Sequence, residues 1–240
     1  MKMIARIAAS AALVAAPGCG NAQSPGLIPS LERLAKAGNA EALYHLGMAY
    51  QTGSGVVEDH AKALDAFRRA AALGDPLAAY KLGCYYAGQD TDVVAPDAAA
   101  ALKYKLVAAT AGYALAQQDV GIIYAQKGDV LAGLQWIERS AAQGWSGGLM
   151  TLASVYNGTG GVKADPGKTA AYFQLFLARS QANETQTAWL KNFAARLSSE
   201  DRRRAEDIVR NFRPAPTPLT LTALSGQRAA QDLVGRSAAH

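Results

Sequence analysis

The sequence predicts an all-α solenoid of short helix-pair repeats, and three observations predict it. First, a glycine is followed nine residues later by a small residue four times: Gly38 and Gly47, Gly74 and Gly83, Gly112 and Gly121, Gly144 and Ala153. Second, an aspartate is followed fifteen residues later by a glycine three times: Asp59 and Gly74, Asp97 and Gly112, Asp129 and Gly144. From Asp165 the same step reaches Ser180, where the pattern fades. Third, only the stretch from a tyrosine (Tyr50, Tyr86, Tyr124, Tyr156) to the next aspartate varies, with separations of 9, 11, 5 and 9 residues. Two rigid lengths joined by an elastic one describe two helices joined by a surface loop, because loops absorb insertions that helices do not. Composition agrees. Half of the residues are apolar, many of them alanine, which has the highest helix propensity and lets helices approach closely.

The chain starts with a short basic segment, Met1 to Arg6, followed by a small-residue apolar run from Ile7 to Ala16. That run is too short to span a bilayer, which takes about 20 residues. Residues 1–22 read as an export signal. Two processing points stay open. Gly20-Asn21-Ala22 suits an ordinary signal peptidase, with cleavage before Gln23. Ala16-Pro17-Gly18-Cys19 resembles a bacterial lipobox, in which Cys19 would be lipidated. The formal charge of +5, from 24 basic and 19 acidic residues, is too mild and too scattered for nucleic acid. The other cysteine, Cys84, has no internal partner once the leader is removed, so packing alone must hold the fold.

Leu31 to Gly38 reads as a lone helix that caps the array, since solenoid ends need atypical caps. In each repeat the first helix carries a stripe at four-residue spacing, as in Ala42, Leu46 and Tyr50. Gly47 beside that stripe disfavours helix by about 1 kcal/mol, which close approach of a partner helix would justify. The second helix starts at the aspartate, whose side chain can accept from the free N–H groups of the first turn. Asp165-Pro166 strengthens that reading, because Pro is favoured at the first helical position. Gly74, Gly112 and Gly144 end the second helices. After residues 23–180, two further helices are expected, from Thr185 to Leu197 and from Ser199 to Phe212, capping the far end over residues 181–212. Pro214-Ala215-Pro216-Thr217-Pro218 breaks helix, and residues 213–240 are expected to be a flexible tail.

These positions carry a resemblance. Ala42, Leu46-Gly47 and Tyr50, then Gly53-Ser54-Gly55-Val56, Asp59, Lys62-Ala63 and Ala70-Ala71 with Gly74, are similar to the A-x-x-x-L-G-x-x-Y, G-x-G-V-x-x-D and K-A…A-A-x-x-G elements of the Sel-1-like repeat family, relatives of the tetratricopeptide repeat. Tyr104, Trp136 and Tyr172 occupy the family's aromatic position in the second helix. The match covers roughly residues 27–180. Asp90 to Ala95 is a divergent loop, the third repeat lacks the glycine loop, and the fourth has a degraded second helix. The resemblance implies a right-handed α/α superhelix with first helices on the concave face.

No catalytic constellation stands out. Gly161 to Thr169 imitates a phosphate loop but has one residue too many between its glycines and follows a helix where that motif needs a strand. His45, His60 and His240 have no ligand at metal spacing. The recurring aspartates are helix caps rather than general acids. No cofactor is expected. Opposite the packed stripe lie Tyr44, Met48 and Gln51; Tyr80 and Cys84; Gln118 and Ile122; Met150 and Ser154. Tyr is enriched at binding hot spots and Met adapts its shape, so this row suits a peptide or helix. The same residues could instead only fill contacts between neighbouring first helices. The reading is a monomeric, non-catalytic scaffold of the bacterial cell envelope. It would bind a protein or peptide segment, not nucleic acid, and meet the membrane only through a lipid on Cys19. The alternatives are a cell-wall or β-lactam-related hydrolase, a possibility the resemblance raises, and a regulatory subunit of an envelope enzyme.

Overall fold

A computed structural model describes residues 26–238. Residues 1–22, read above as an export signal, with Cys19 among them, and the terminal His240 lie outside the described residues. The described residues form thirteen α-helices and no strand. A cap, α1 (Leu27–Lys36), precedes four pairs: α2 (Ala40–Thr52) with α3 (His60–Ala72), α4 (Pro76–Cys84) with α5 (Ala98–Thr110), α6 (Ala114–Gln126) with α7 (Val130–Ala142), and α8 (Ser146–Tyr156) with α9 (Pro166–Leu177). Then follow α10 (Glu184–Ala194), α11 (Ser199–Asn211), α12 (Pro218–Ser225) and α13 (Gln227–Ala238). Each first helix packs on its own second helix and on the second helix before it, so the chain stacks in sequence order.

Local chemistry sets the pair boundaries. Asp59, Asp97, Asp129 and Asp165 each accept from backbone N–H groups of the helix they precede, at 2.9–3.1 Å. One bond closes the elastic loop in every repeat: the aspartate N–H donates to the tyrosine carbonyl of the first helix, Asp59 to Tyr50 (2.9 Å), Asp97 to Tyr86 (2.8 Å), Asp129 to Tyr124 (3.0 Å) and Asp165 to Tyr156 (2.8 Å). The loop therefore varies in length while its two ends stay fixed in register. The longest loop follows a π-helical turn, Tyr85–Gln89, and is tied down where His60 pairs with Asp90.

The two layers meet through small residues. At the α6–α7 contact Gly121 faces Gly133, and a Cβ on Gly133 would sit 2.7 Å from the Gly121 carbonyl oxygen. Larger residues fill the spaces between. Phe67, Leu82 and Tyr85 are fully buried in the first half, Ile137, Leu149 and Leu152 in the second. The tyrosine of the first helix stacks on the aromatic residue of the second, Tyr86 on Tyr104 with ring centres 5.7 Å apart and Tyr156 on Tyr172 at 5.9 Å. At the far end α11 packs against α9 through Ala205, Ile208 and Val209.

The segment after α11 corrects the expectation of a flexible tail. Residues 218–238 are helical and packed, forming a strap that runs back along the array. Thr217 caps α12 by accepting from the Thr220 N–H, and Pro218 occupies the first helical position. The proline run read as a helix breaker is thus the lead-in to a new helix. Ala230 and Leu233 of α13 are buried in the same cluster as Leu31 of α1 and Leu43 of α2. Arg236 reaches Glu41 at the start of α2, 3.5 Å away.

Candidate functional site

The row read from the sequence lies on α2, α4, α6 and α8, which stand side by side. Their side chains bridge one helix to the next. Lys81 Nζ donates to Gln51 Oε1 (2.7 Å), the Tyr80 hydroxyl to Asp119 Oδ2 (3.1 Å), and Gln118 Nε2 to Thr151 Oγ1 (3.4 Å). The row falls into three stretches with different chemistry.

Tyr44 and Met48 face the strap. With Leu27, Ile28, His45 and the strap residues Thr222 and Ala230 they line a cavity of about 170 Å³. His45 is 6% exposed, and its Nε2 has no hydrogen-bond partner, the Glu41 carboxylate standing 3.8 Å away. Burial pulls its pKa down to about 4, so the imidazole is neutral at physiological pH. Burial raises the Tyr44 phenol above its ordinary range, with Tyr113 and Asp75 adding to the effect.

The middle stretch is a polar cluster. Lys105, almost fully buried, donates from Nζ to Asp119 Oδ2 at 2.6 Å, and the Tyr80 and Tyr113 rings meet edge-on at 5.0 Å. Buried charges persist when paired in this way. Cys84 is half-buried beside this cluster, and burial pushes its thiol pKa up. A raised thiol carries little thiolate, so Cys84 acts as a packing residue. Gln118 is held by the Trp145 indole N–H, which donates to its Oε1 at 2.8 Å. Ile122 is half-buried in the same layer.

The last stretch is open. Met150 and Ser154, with Asn157, Phe173 and Trp189, line a cleft of about 330 Å³. Met150 is 36% and Trp189 38% exposed. Trp189 leans on Phe173 with ring centres 4.6 Å apart and stacks on Phe193 at 4.9 Å, so its indole is presented rigidly. The sequence reading did not include Trp189. Two aromatic residues four apart, Trp189 and Phe193, on the helix expected after the last repeat are the signal that could have found it.

A fourth arrangement was also missed, the contact of the strap with the turns between repeats. Gln143 Nε2 donates to the Gly112 carbonyl (2.8 Å) and to Gln117 Oε1 (2.9 Å). Its Oε1 accepts from the Thr217 N–H (3.0 Å) and the Thr220 hydroxyl (2.7 Å). Thr220 Oγ1 accepts from the Ala114 N–H (3.0 Å), and the Thr217 hydroxyl donates to the Gly112 carbonyl (2.9 Å). The Ala215 N–H donates to the Ala142 carbonyl at 3.0 Å. A Cβ on Gly112 would come within 2.9 Å of the Thr217 side chain, and one on Gly144 within 2.8 Å of Pro214. These glycines therefore admit the strap as well as ending helices.

Among the described residues no group of histidine, cysteine and acidic side chains could hold a metal ion. No helix among them is long and apolar enough to cross a membrane.

Comparison with known proteins supplies the family. The Sel1 repeat model matches residues 40–75, 76–113, 113–145 and 150–178, more than half of the chain. The crystal structure of c5321, a protective antigen present in uropathogenic Escherichia coli strains displaying an SLR fold, is similar with a TM-score of 0.65 and 20% identity. That likeness covers 86% of this chain but only 42% of that protein, so the chain spans less than half of its length. A Sel1 repeat protein from Oxalobacter formigenes is similar with a TM-score of 0.61 and 25% identity, over 76% of this chain and 77% of that one. A search of curated proteins finds no match. Sel1 repeats typically mediate protein–protein interaction, and the fold is generally a non-catalytic scaffold. Four matched repeats and two structural neighbours of the same architecture place the chain in the Sel1 repeat family.

Proposed function

We propose that the chain is an exported, non-catalytic interaction scaffold of a bacterial cell envelope, and that the row on the first helices holds a peptide or protein segment. One observation carries the reading. The row is covered by the strap at Tyr44 and Met48 and ends in an open, apolar cleft at Met150, Ser154 and Trp189. A rigid, half-exposed tryptophan beside a methionine is the composition of a binding hot spot.

The test is affinity capture from an envelope extract with the wild-type chain and with Met150→Ala/Trp189→Ala. Both side chains are about one-third exposed, and circular dichroism of the variant checks that its helices are intact. Partners bound through the cleft should fall at least tenfold in the variant. Identical partner profiles would contradict the cleft as the site. The mass of the mature N-terminus tests export and decides between a free Gln23 and a lipidated Cys19.

A further inference from the structure

We infer that residues 213–226 are a built-in occupant of the interaction surface and that they display the chemistry of its partner: a proline-led segment whose threonine starts a helix, supplied by another protein. The inference rests on the reading of the chain as an interaction scaffold, and its contact is with the turns between repeats at Gly112, Gln143 and Gly144. The pattern is Pro-x-Pro-Thr-Pro-x-Thr, as Pro214 to Thr220 show.

Three features make this contact a recognition site rather than generic packing. Its polar groups interlock in one network, the Gly112 carbonyl accepting from both Gln143 and Thr217. The Gln143 carboxamide, itself buried, spends its oxygen on the Thr217 N–H and Thr220 hydroxyl and its nitrogen on Gly112 and Gln117. Thr220, 2% exposed, also takes the Ala114 N–H at the start of α6. Glycines stand where side chains would exclude the segment, Gly112 against Thr217 and Gly144 against Pro214. The apolar share of the strap is small and partly turned outward: Leu221 and Leu224 are exposed, and the burial rests on Ala230 and Leu233 further on. The segment is therefore held by a few directional bonds, each of which a competing segment with the same two threonines can replace. Pro214 and Pro216 hold the lead-in extended and Pro218 presets the first helical turn, which lowers the ordering cost for any such segment.

The tether gives the chain's own segment an effective concentration near the millimolar range, so an outside segment competes poorly until the latch is weakened. The experiment uses the full chain with Thr217→Ala/Thr220→Ala and a fluorescent synthetic peptide of residues 212–226 carrying the native threonines. The variant should bind the peptide at least about tenfold more tightly than the wild type does. A peptide with valine at both threonine positions should bind neither protein. Hydrogen exchange of residues 218–226 should be faster in the variant than in the wild type.

Unchanged exchange in the variant would overturn the claim that these threonines hold the strap. Faster exchange without peptide binding would overturn the recognition claim, and equal binding of the valine peptide would overturn the chemistry assigned to it. The wild-type chain should sediment as a monomer across concentrations. Dimers formed by strap exchange would overturn the assignment to another protein's segment. Met150→Ala/Trp189→Ala lies away from Gln143 and should leave peptide binding by the latch variant unchanged. Failure of the cleft in affinity capture and failure of the latch are thus separate results.

Discussion

Replacing Gly133 by alanine tests the helix-pair geometry at its tightest point. Normally a helical Gly→Ala change stabilises by about 1 kcal/mol, because alanine loses less backbone entropy on folding. At Gly133 the new methyl would stand 2.7 Å from the Gly121 carbonyl oxygen and 2.9 Å from the Ala125 nitrogen. Both are backbone atoms of α6, so no side chain can rotate away and the helices must part. Overpacking of this kind destabilises by about 1–3 kcal/mol, and a clash with rigid backbone belongs at the upper end. Setting about 3 kcal/mol of strain against the gain in propensity leaves a net loss of about 2 kcal/mol. For a chain of this length that corresponds to a Tm lower by about 4–8 °C. The control is Gly235→Ala on α13, where a Cβ meets nothing within 4 Å. The same substitution there should raise stability by up to about 1 kcal/mol. Thermal and urea unfolding followed by circular dichroism reads both. A Gly133→Ala protein as stable as the wild type would refute the close approach of α6 and α7.

Further outcomes follow from the caps, the core and the buried titratable groups. Asp97→Ala removes the acceptor of two N–H groups, from Ala99 and Ala100, and should lower stability by about 1 kcal/mol in urea titration; an unshifted midpoint would contradict the capping role. Phe67→Ala empties a fully buried site against Gly47 and should destabilise by about 3–5 kcal/mol; a loss below about 1 kcal/mol would mean that the site is not packed as described. His45 has a pKa lowered by burial from 6.5 to about 4, so its folded form binds fewer protons than its unfolded form in that range. Its contribution is present above pH 6.5 and lost as the pH falls toward 4. The stability of wild type relative to His45→Gln should therefore grow by about 3 kcal/mol between pH 4 and 7. Asp75, raised by burial from 3.8 to about 6, acts in the opposite sense: its contribution is present below pH 3.8 and lost as the pH rises through 6. Wild type relative to Asp75→Asn should weaken over that window. A flat difference in either case would show that the group is solvated.

The repeats were legible because they rest on periodic, local chemistry. Each aspartate cap, closing glycine and alanine stripe acts within one helix pair, and the four copies reinforce each other. The loop that varies in length hid nothing, since one aspartate-to-tyrosine backbone bond closes it whatever its length. The strap was missed for physical reasons that particular residues show. Its fixings are threonine hydroxyls, one glutamine and backbone groups more than 70 residues away in sequence, and such pairings leave no local pattern. Its buried stripe, Ala229, Ala230 and Leu233, is short and mostly alanine. Thr217-Pro218 did carry a helix-start signal, the same one that Asp165-Pro166 gave, but the neighbouring prolines masked it. The row Tyr44 to Ser154 was legible as one face of the first helices. Its division into a covered, a polar and an open stretch depends on the strap, Lys105 and Trp189, which belong to other elements.

The account turns on the last helix lying against the first repeat of the same molecule. A nitroxide attached at position 41, in a chain with Cys19 and Cys84 replaced by serine and with Glu41→Cys as the labelling site, reads this directly by paramagnetic broadening. In dilute solution the amide resonances of residues 230–236 should be strongly broadened, as the contact of Arg236 with Glu41 and the burial of Ala230 and Leu233 require. Sharp resonances from those residues, with broadening confined to α1, α2 and α3, would contradict the account.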